Sequence, residues 1–273
     1  MVTGVPGERA RSALARGAAA TFADVRWVAE TGSTNADALA LLRAGEPEGI
    51  VLVADHQTAG RGRAGRRWTA PPEAGLLLTV LLRPPAAAVD LCTTAVALAA
   101  TDALEQVAGV DARLKWPNDL VFPGDGSVAD RKLAGILAEA DWPAGGGDPG
   151  VAVGIGINVA WPDELPDDLA EVAVACNHVS DRSVDREELL VALVEALATR
   201  YARLLVGDRA SLVAEWRERS ATLGQRVRVE QTHGEVEGTA VDITGEGHLV
   251  VELDDGSQRS FAVGDVVHVR PTG

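Results

Sequence analysis

The texture of this chain changes once, near Leu223, and that change limits what the chain can fold into. From Gln225 onward the sequence reads as five short alternating segments: Arg226 to Glu230, Val236 to Ile243, Leu249 to Leu253, Arg259 to Val263 and Val266 to Val269. Turns such as Gly245-Glu246-Gly247 and Asp254-Asp255-Gly256 separate them, and no helical period runs through the stretch. Segments this short and this regularly spaced predict a small β-barrel over 224–273. Ahead of the boundary, apolar strands alternate with helical patterns. Residues 23–223 are therefore expected as a separate domain of mixed strands and helices, and 273 residues suffice for both parts.

Within the larger part, residues 24–30 read as a strand, and Ser33 or Thr34 caps a helix that runs to about Ala44 and closes at Gly45. Ile50 to Ala54 and Gly75 to Leu82 are apolar strands on either side of an arginine- and glycine-rich loop. The Ala and Leu positions of 90–108 predict a buried helix. Further strands are expected around 112–116, 132–140 and 151–158, with Gly- and Asp-rich turns at 123–130 and 143–149. Amphipathic patterns predict helices over 186–206 and 209–221, while residues 1–22 read as a weakly ordered arm.

Charge and apolar runs narrow the function. A formal net charge of −15 argues against general affinity for nucleic acid, because phosphate binding needs a basic face. Yet between His56 and Glu73 there are four arginines (Arg61, Arg63, Arg66 and Arg67) and no acid. A cationic loop on an acidic protein points to a small anionic ligand; a solvated charge run is the plainer alternative. No stretch is read as reaching the roughly 18 apolar residues that span a bilayer, and the N-terminal stretch lacks an apolar signal core. A cytoplasmic protein with no membrane partner is expected. Cys92 and Cys176 give neither a disulfide framework nor a metal-ligand spacing.

Lysine is scarce. Of 25 basic residues only Lys115 and Lys132, seventeen positions apart, are lysines; the other 23 are arginines. The alanine- and glycine-heavy composition suggests a coding bias that removes Lys and Asn where nothing requires them. A surviving lysine then marks a place where a compact point charge is needed and a planar fork will not serve. Three of the four asparagines cluster with the same segments: Asn35, Asn118 and Asn158, with Asn177 outside. Turn and cap roles remain open for each.

Five segments, in this order, resemble the motifs of biotin protein ligases. They are Ser33-Thr34-Asn35, Gln57-Thr58-Ala59-Gly60-Arg61-Gly62-Arg63, Lys115-Trp116-Pro117-Asn118-Asp119, Lys132-Leu133-Ala134-Gly135-Ile136-Leu137 and Gly154-Ile155-Gly156-Ile157-Asn158-Val159. The resemblance runs from about residue 24 to the C-terminus. It implies an α+β catalytic domain like that of class II aminoacyl-tRNA synthetases and biotin ligases, followed by an SH3-like β-barrel. The implied activity is ATP-dependent carbon–nitrogen ligation. Biotin and ATP give biotinyl-5′-AMP, which a lysine of the biotin carboxyl carrier domain of an acetyl- or acyl-CoA carboxylase then attacks.

By family position, Ser33, Thr34, Asn35 and Gln57 would hold biotin, and Arg61, Gly62 and Arg63 would close over biotin and the adenylate. Lys132 would meet the biotin carboxylate and the reacting phosphate, and Lys115 would stabilise phosphate charge. Arg63, Arg66, Trp68, Asn118 and Asn158 would lie on the nucleotide side, with Asp119 as ligand to Mg²⁺. Lys132, Lys115, Arg63 and Asp119 make up the implied catalytic set. The loop from Gly60 to Trp68 is expected to gain order when ligand binds.

Three departures stand out. No helix-turn-helix precedes residue 24, so no repressor function is expected; the turn from Val121 to Asp130 is long; and Ala175-Cys176-Asn177-His178 does not resemble the family pattern after Asn158. Two rivals stay open. One is a lipoyl- or octanoyl-protein transferase using Cys176 in a thioester route. The other is a non-catalytic biotin sensor. Oligomeric state is left undetermined.

Overall fold

The computed structural model describes residues 5–124, 129–163, 165–231 and 234–268. Strands β1 (Asp24–Thr31), β2 (Ile50–Gln57), β3 (Gly75–Leu82) and β4 (Arg113–Lys115) join β5 (Asp119–Phe122), β6 (Arg131–Asp141) and β7 (Gly150–Asn158) in one sheet. Its order is β1-β2-β3-β7-β6-β5-β4. Only β1 and β2 are parallel, and the helix between them makes the crossover that such a pair requires. The helices are α1 (Glu8–Leu14), α2 (Thr34–Arg43), α3 (Cys92–Ala103), the single turn α4 (Cys176–Val179), α5 (Arg186–Leu205) and α6 (Arg209–Glu218).

The period of two sorts the two faces of the sheet. On β2, Val51 and Val53 enter the main core with α3 and α5, whereas Ile50 and Leu52 meet Leu39 and Leu42 of α2. The apolar stretch Ala86–Ala108, which contains α3, proves long and apolar enough by length and composition to cross a membrane, contrary to the expectation for this sequence. Most of it is buried inside the fold, against α5, so it serves as the core helix.

Residues 8–22 are not a loose arm. Ala10, Leu14, Ala19 and Phe22 are buried, and the first turn of α1 is fastened by Glu187 of α5, which accepts from the Gly7 and Ala10 N–H groups at 3.2 and 3.1 Å. A seven-residue helix has too short an apolar stripe to be recognised by period, and its partner lies far along the chain. The hairpin β4–β5 replaces the single strand expected at 112–116, with a cis Trp116–Pro117 bond in its turn. Of the long turn after it, residues 125–128 lie outside the described set.

The C-terminal strands are β8 (Arg226–Gln231), β9 (Gly234–Ile243), β10 (Leu249–Glu252), β11 (Gln258–Phe261) and β12 (Asp265–His268). They form an antiparallel sheet ordered β11-β10-β9-β8-β12. The expected barrel is not closed: among the described residues no ladder joins β11 to β12. β10 and β11 have four residues each, and α6 packs on β9. Val227, Val229, Leu249, Val251 and Phe261 run into the same core as the first sheet. Val269, expected in the last strand, lies outside the described residues.

Candidate active site

The site is built on a floor stripped of side chains. On β7, Ile155 and Ile157 enter the core, so Gly154 and Gly156 take the opposite face. A methyl group on Gly154 would lie 2.0 Å from Asn35 Oδ1, and one on Gly156 would lie 2.6 Å from the Trp68 indole. These glycines serve close approach. Beside them the β5–β6 ladder slips: Leu120 opposes Ala134 but Val121 opposes Lys132, which leaves Leu133 without an opposite number. The extra residue brings Lys132 and Gly135 to the same side, where a methyl on Gly135 would stand 3.0 Å from Lys132 Nζ.

One wall comes from the start of α2. Ser33 holds the N-cap position, yet its hydroxyl makes no capping bond. The turn is held from β2 instead, where Gln57 Oε1 accepts from the Thr34 N–H at 2.8 Å and from the Thr34 hydroxyl at 3.1 Å. Thr79 of β3 places its hydroxyl 2.8 Å from Thr34 Oγ1 and 2.7 Å from Asn35 Oδ1. Asn35 Nδ2 in turn donates to Leu137 O at 3.0 Å and to Glu139 Oε2 at 3.1 Å. The wall is thus a connected series of neutral side chains, held to fixed orientations by three strands and anchored at one end on the Glu139 carboxylate.

The arginine loop forms the opposite side. It folds back on itself through Gly62 N–H to Arg66 O at 2.7 Å and Trp68 N–H to Gly60 O at 3.1 Å. Each of its arginines has a seat. Arg61 donates to Glu139 Oε1 at 2.8 Å, and Arg63 donates to Asn118 Oδ1 at 3.1 Å and to Gly264 O at 3.4 Å. Arg66 pairs with Asp265 at 2.8 Å, so β12 and the turn before it help to hold the loop. Burial lowers the Arg63 pKa from its ordinary value; Asp265 and Asp119 oppose that, and Arg66 adds to it. Trp68 lies under Lys132, whose Nζ is 5.5 Å from the ring centroid. The buried indole Nε1 has no hydrogen-bond partner among the described residues, an unused donor in the wall of the site.

The cleft holds a cavity of about 130 Å³ that opens to solvent on one side. Ser33, Thr34, Asn35, Gln57, Arg61, Gly62, Arg63, Arg66, Trp68, Asn118 and Lys132, all expected from the sequence, line it together. Three expected residues do not. Asp119 stands behind Lys132, its Oδ1 2.7 Å from the ammonium. Lys115 sits opposite Asp119 on the hairpin and acts on His268, where burial first and then the Lys115 charge lower the imidazole pKa against the pull of Asp130. Asn158 is buried, and its amide donates to Val174 O at 3.0 Å, fixing the segment after β7 to the sheet.

Thr79, Glu139 and the space-making role of the glycines escape a reading of motifs. Thr79 had one faint signal, a lone hydroxyl in the run Gly75-Leu76-Leu77-Leu78-Thr79-Val80. Cys176 carries no reactive character. It is fully buried, and burial pushes its thiol up to about 12. His178 cannot act as its base, since Nδ1 faces the Ala175 N–H at 3.4 Å and Nε2 lies 2.9 Å from Pro162 O.

Comparison with known proteins agrees with this geometry. Residues 29–158 match the Biotin/lipoate A/B protein ligase family, and residues 222–269 match the Biotin protein ligase C terminal domain. The chain is 37% identical over 262 residues to a biotin–[acetyl-CoA-carboxylase] ligase of Mycobacterium tuberculosis, covering 93% of this chain and 92% of that protein. The chain belongs to the biotin protein ligase family. Another biotin–[acetyl-CoA-carboxylase] ligase, from Paracoccus denitrificans, is 38% identical over 242 residues, or 85% of this chain and 95% of that one. Among solved structures, the biotin protein ligase of Aquifex aeolicus in complex with biotin and ATP superposes with a TM-score of 0.73 at 26% identity, covering 90% of this chain and 99% of that chain.

Proposed function

We propose that this enzyme joins biotin to a lysine of the biotin carboxyl carrier domain of an acetyl- or acyl-CoA carboxylase, in two steps at this cleft. A biotin carboxylate oxygen attacks the α-phosphorus of ATP, and pyrophosphate leaves. The acceptor amine then attacks the carbonyl of biotinyl-5′-AMP, loses a proton, and AMP leaves. The observation that carries this reading is the junction of a neutral hydrogen-bonding wall with Lys132 and the arginines Arg61, Arg63 and Arg66 in one cleft. The wall suits a ureido ring, and the cations suit a carboxylate and a triphosphate that must approach against their own repulsion.

Mg²⁺ would arrive with the triphosphate. Among the described residues no three His, Cys, Asp or Glu side chains come together to hold a metal. One carboxylate beside phosphate oxygens and water suffices for magnesium; Asp119, the ligand expected from the sequence, is paired with Lys132 behind the cleft and would have to leave that ammonium to serve. When bound, the ion would supply positive charge to the phosphate oxygens; Lys132 and the loop arginines supply the remainder from the protein.

The test is ATP–pyrophosphate exchange with biotin, lipoate or octanoate as the acid. Exchange driven by biotin alone is expected, and exchange driven by lipoate or octanoate without biotin would overturn the reading. Cys176→Ala is expected to exchange at the wild-type rate, because a buried, protonated thiol takes no part in adenylation. A loss of acceptor labelling confined to that variant would revive the thioester route.

A further inference from the structure

Glu139 lies just beyond the motif that contains Lys132, and nothing in its local sequence marks it. Its two carboxylate oxygens serve two different parts of the site. Oε2 accepts from the buried Asn35 amide at 3.1 Å, and Oε1 accepts from the exposed Arg61 guanidinium at 2.8 Å. The geometry has a simple origin. β5 covers β6 only from Arg131 to Gly135, so past Leu137 the side chain has room to reach out to the loop. Glu139 is absent from the lining of the inner cleft, so it acts on bound biotin only through its neighbours.

Asn35 has no slack. Its amide donates to Leu137 O and Glu139, and its oxygen receives the Thr79 hydroxyl. A charge-assisted acceptor on that amide fixes the side-chain orientation that the cleft presents. The same carboxylate satisfies Arg61 only while the loop is seated. We propose that Glu139 is a positioning residue that couples the two sides of the site, so that biotin held against Asn35 favours the seated loop and the seated loop favours biotin. Such coupling is reciprocal. The inference rests on the proposed function and deepens it: the loop responds to the acid because one carboxylate is shared between them.

The experiment is a double-mutant cycle of Glu139→Gln and Arg61→Gln on the full chain. Two readouts are taken: KM for biotin against KM for ATP in exchange, and trypsin cleavage of the loop with and without biotin. Wild-type protein must first show biotin-dependent exchange; without it the proposed function fails and the coupling that rests on it fails too, whereas normal exchange with uncoupled variants overturns the coupling alone. Glu139→Gln keeps an oxygen for Asn35 but loses the ion pair. It is expected to raise the biotin KM about tenfold, with less change in the ATP KM, and to abolish protection of the loop by biotin. Arg61→Gln should do the same, and the double variant should be no worse than the worse single one. Additive losses, or protection by biotin that survives in either variant, would overturn the proposal. Should Glu139→Gln fail to fold, the protection assay on Arg61→Gln, an exposed position, decides alone.

Discussion

Gly154→Ala is expected to lower kcat/KM for biotin at least about a hundredfold, roughly 2.7 kcal/mol of transition-state stabilisation, while the chain still folds. The added methyl would stand 2.0 Å from Asn35 Oδ1, far inside contact distance. Asn35 cannot yield cheaply, because it would leave Thr79, Leu137 O and Glu139 together. Overpacking of this kind costs about 1–3 kcal/mol, and each buried polar group left unpaired costs a similar amount. Thermal melting would report the fold, and exchange kinetics at varied biotin would report the site. A variant within tenfold of wild type would show that the Asn35 wall is not where biotin binds.

Lys132→Arg keeps the charge and should still lose at least about tenfold in adenylation, about 1.4 kcal/mol. The ammonium is held by specific partners: Asp119 Oδ1 is 2.7 Å away and the Trp68 ring centroid 5.5 Å away, beside a strand kept bare at Gly135. A planar guanidinium would spread the charge over a wide fork and could not keep this single-point arrangement. Single-turnover measurement of adenylate formation separates this effect from acceptor transfer. Wild-type adenylation by the arginine variant would refute the idea that a point charge is required here.

The lining of the cleft was legible because its residues are rare types in short runs: Asn35 and Asn118, the single Lys132, and arginines spaced by glycine. The same logic pointed to Asn158 and Lys115, neither of which is in the lining of the cleft, since scarcity marks a demanding position without saying whether the demand is chemical or structural. Asn158 meets a structural one, the pinning of Val174 to the sheet. Glu139 was illegible for a different reason. Nothing distinguishes a glutamate near the end of a strand until Arg61, 78 positions away in sequence, folds over it. The open C-terminal sheet and the packed first helix share that cause, because both depend on which surfaces the rest of the chain offers as cover.

The placement of the two lysines bears on the safety of the chemistry. An acyl adenylate that strays from its site acylates amines, and guanidinium groups, protonated at any physiological pH, do not compete for it. One ammonium of this enzyme is clamped between Asp119 and Trp68, and the other is half-buried on a hairpin beside His268. The remaining 23 basic side chains are arginines. The enzyme therefore carries only two side-chain amines that its own reactive product could label, and both are partly buried.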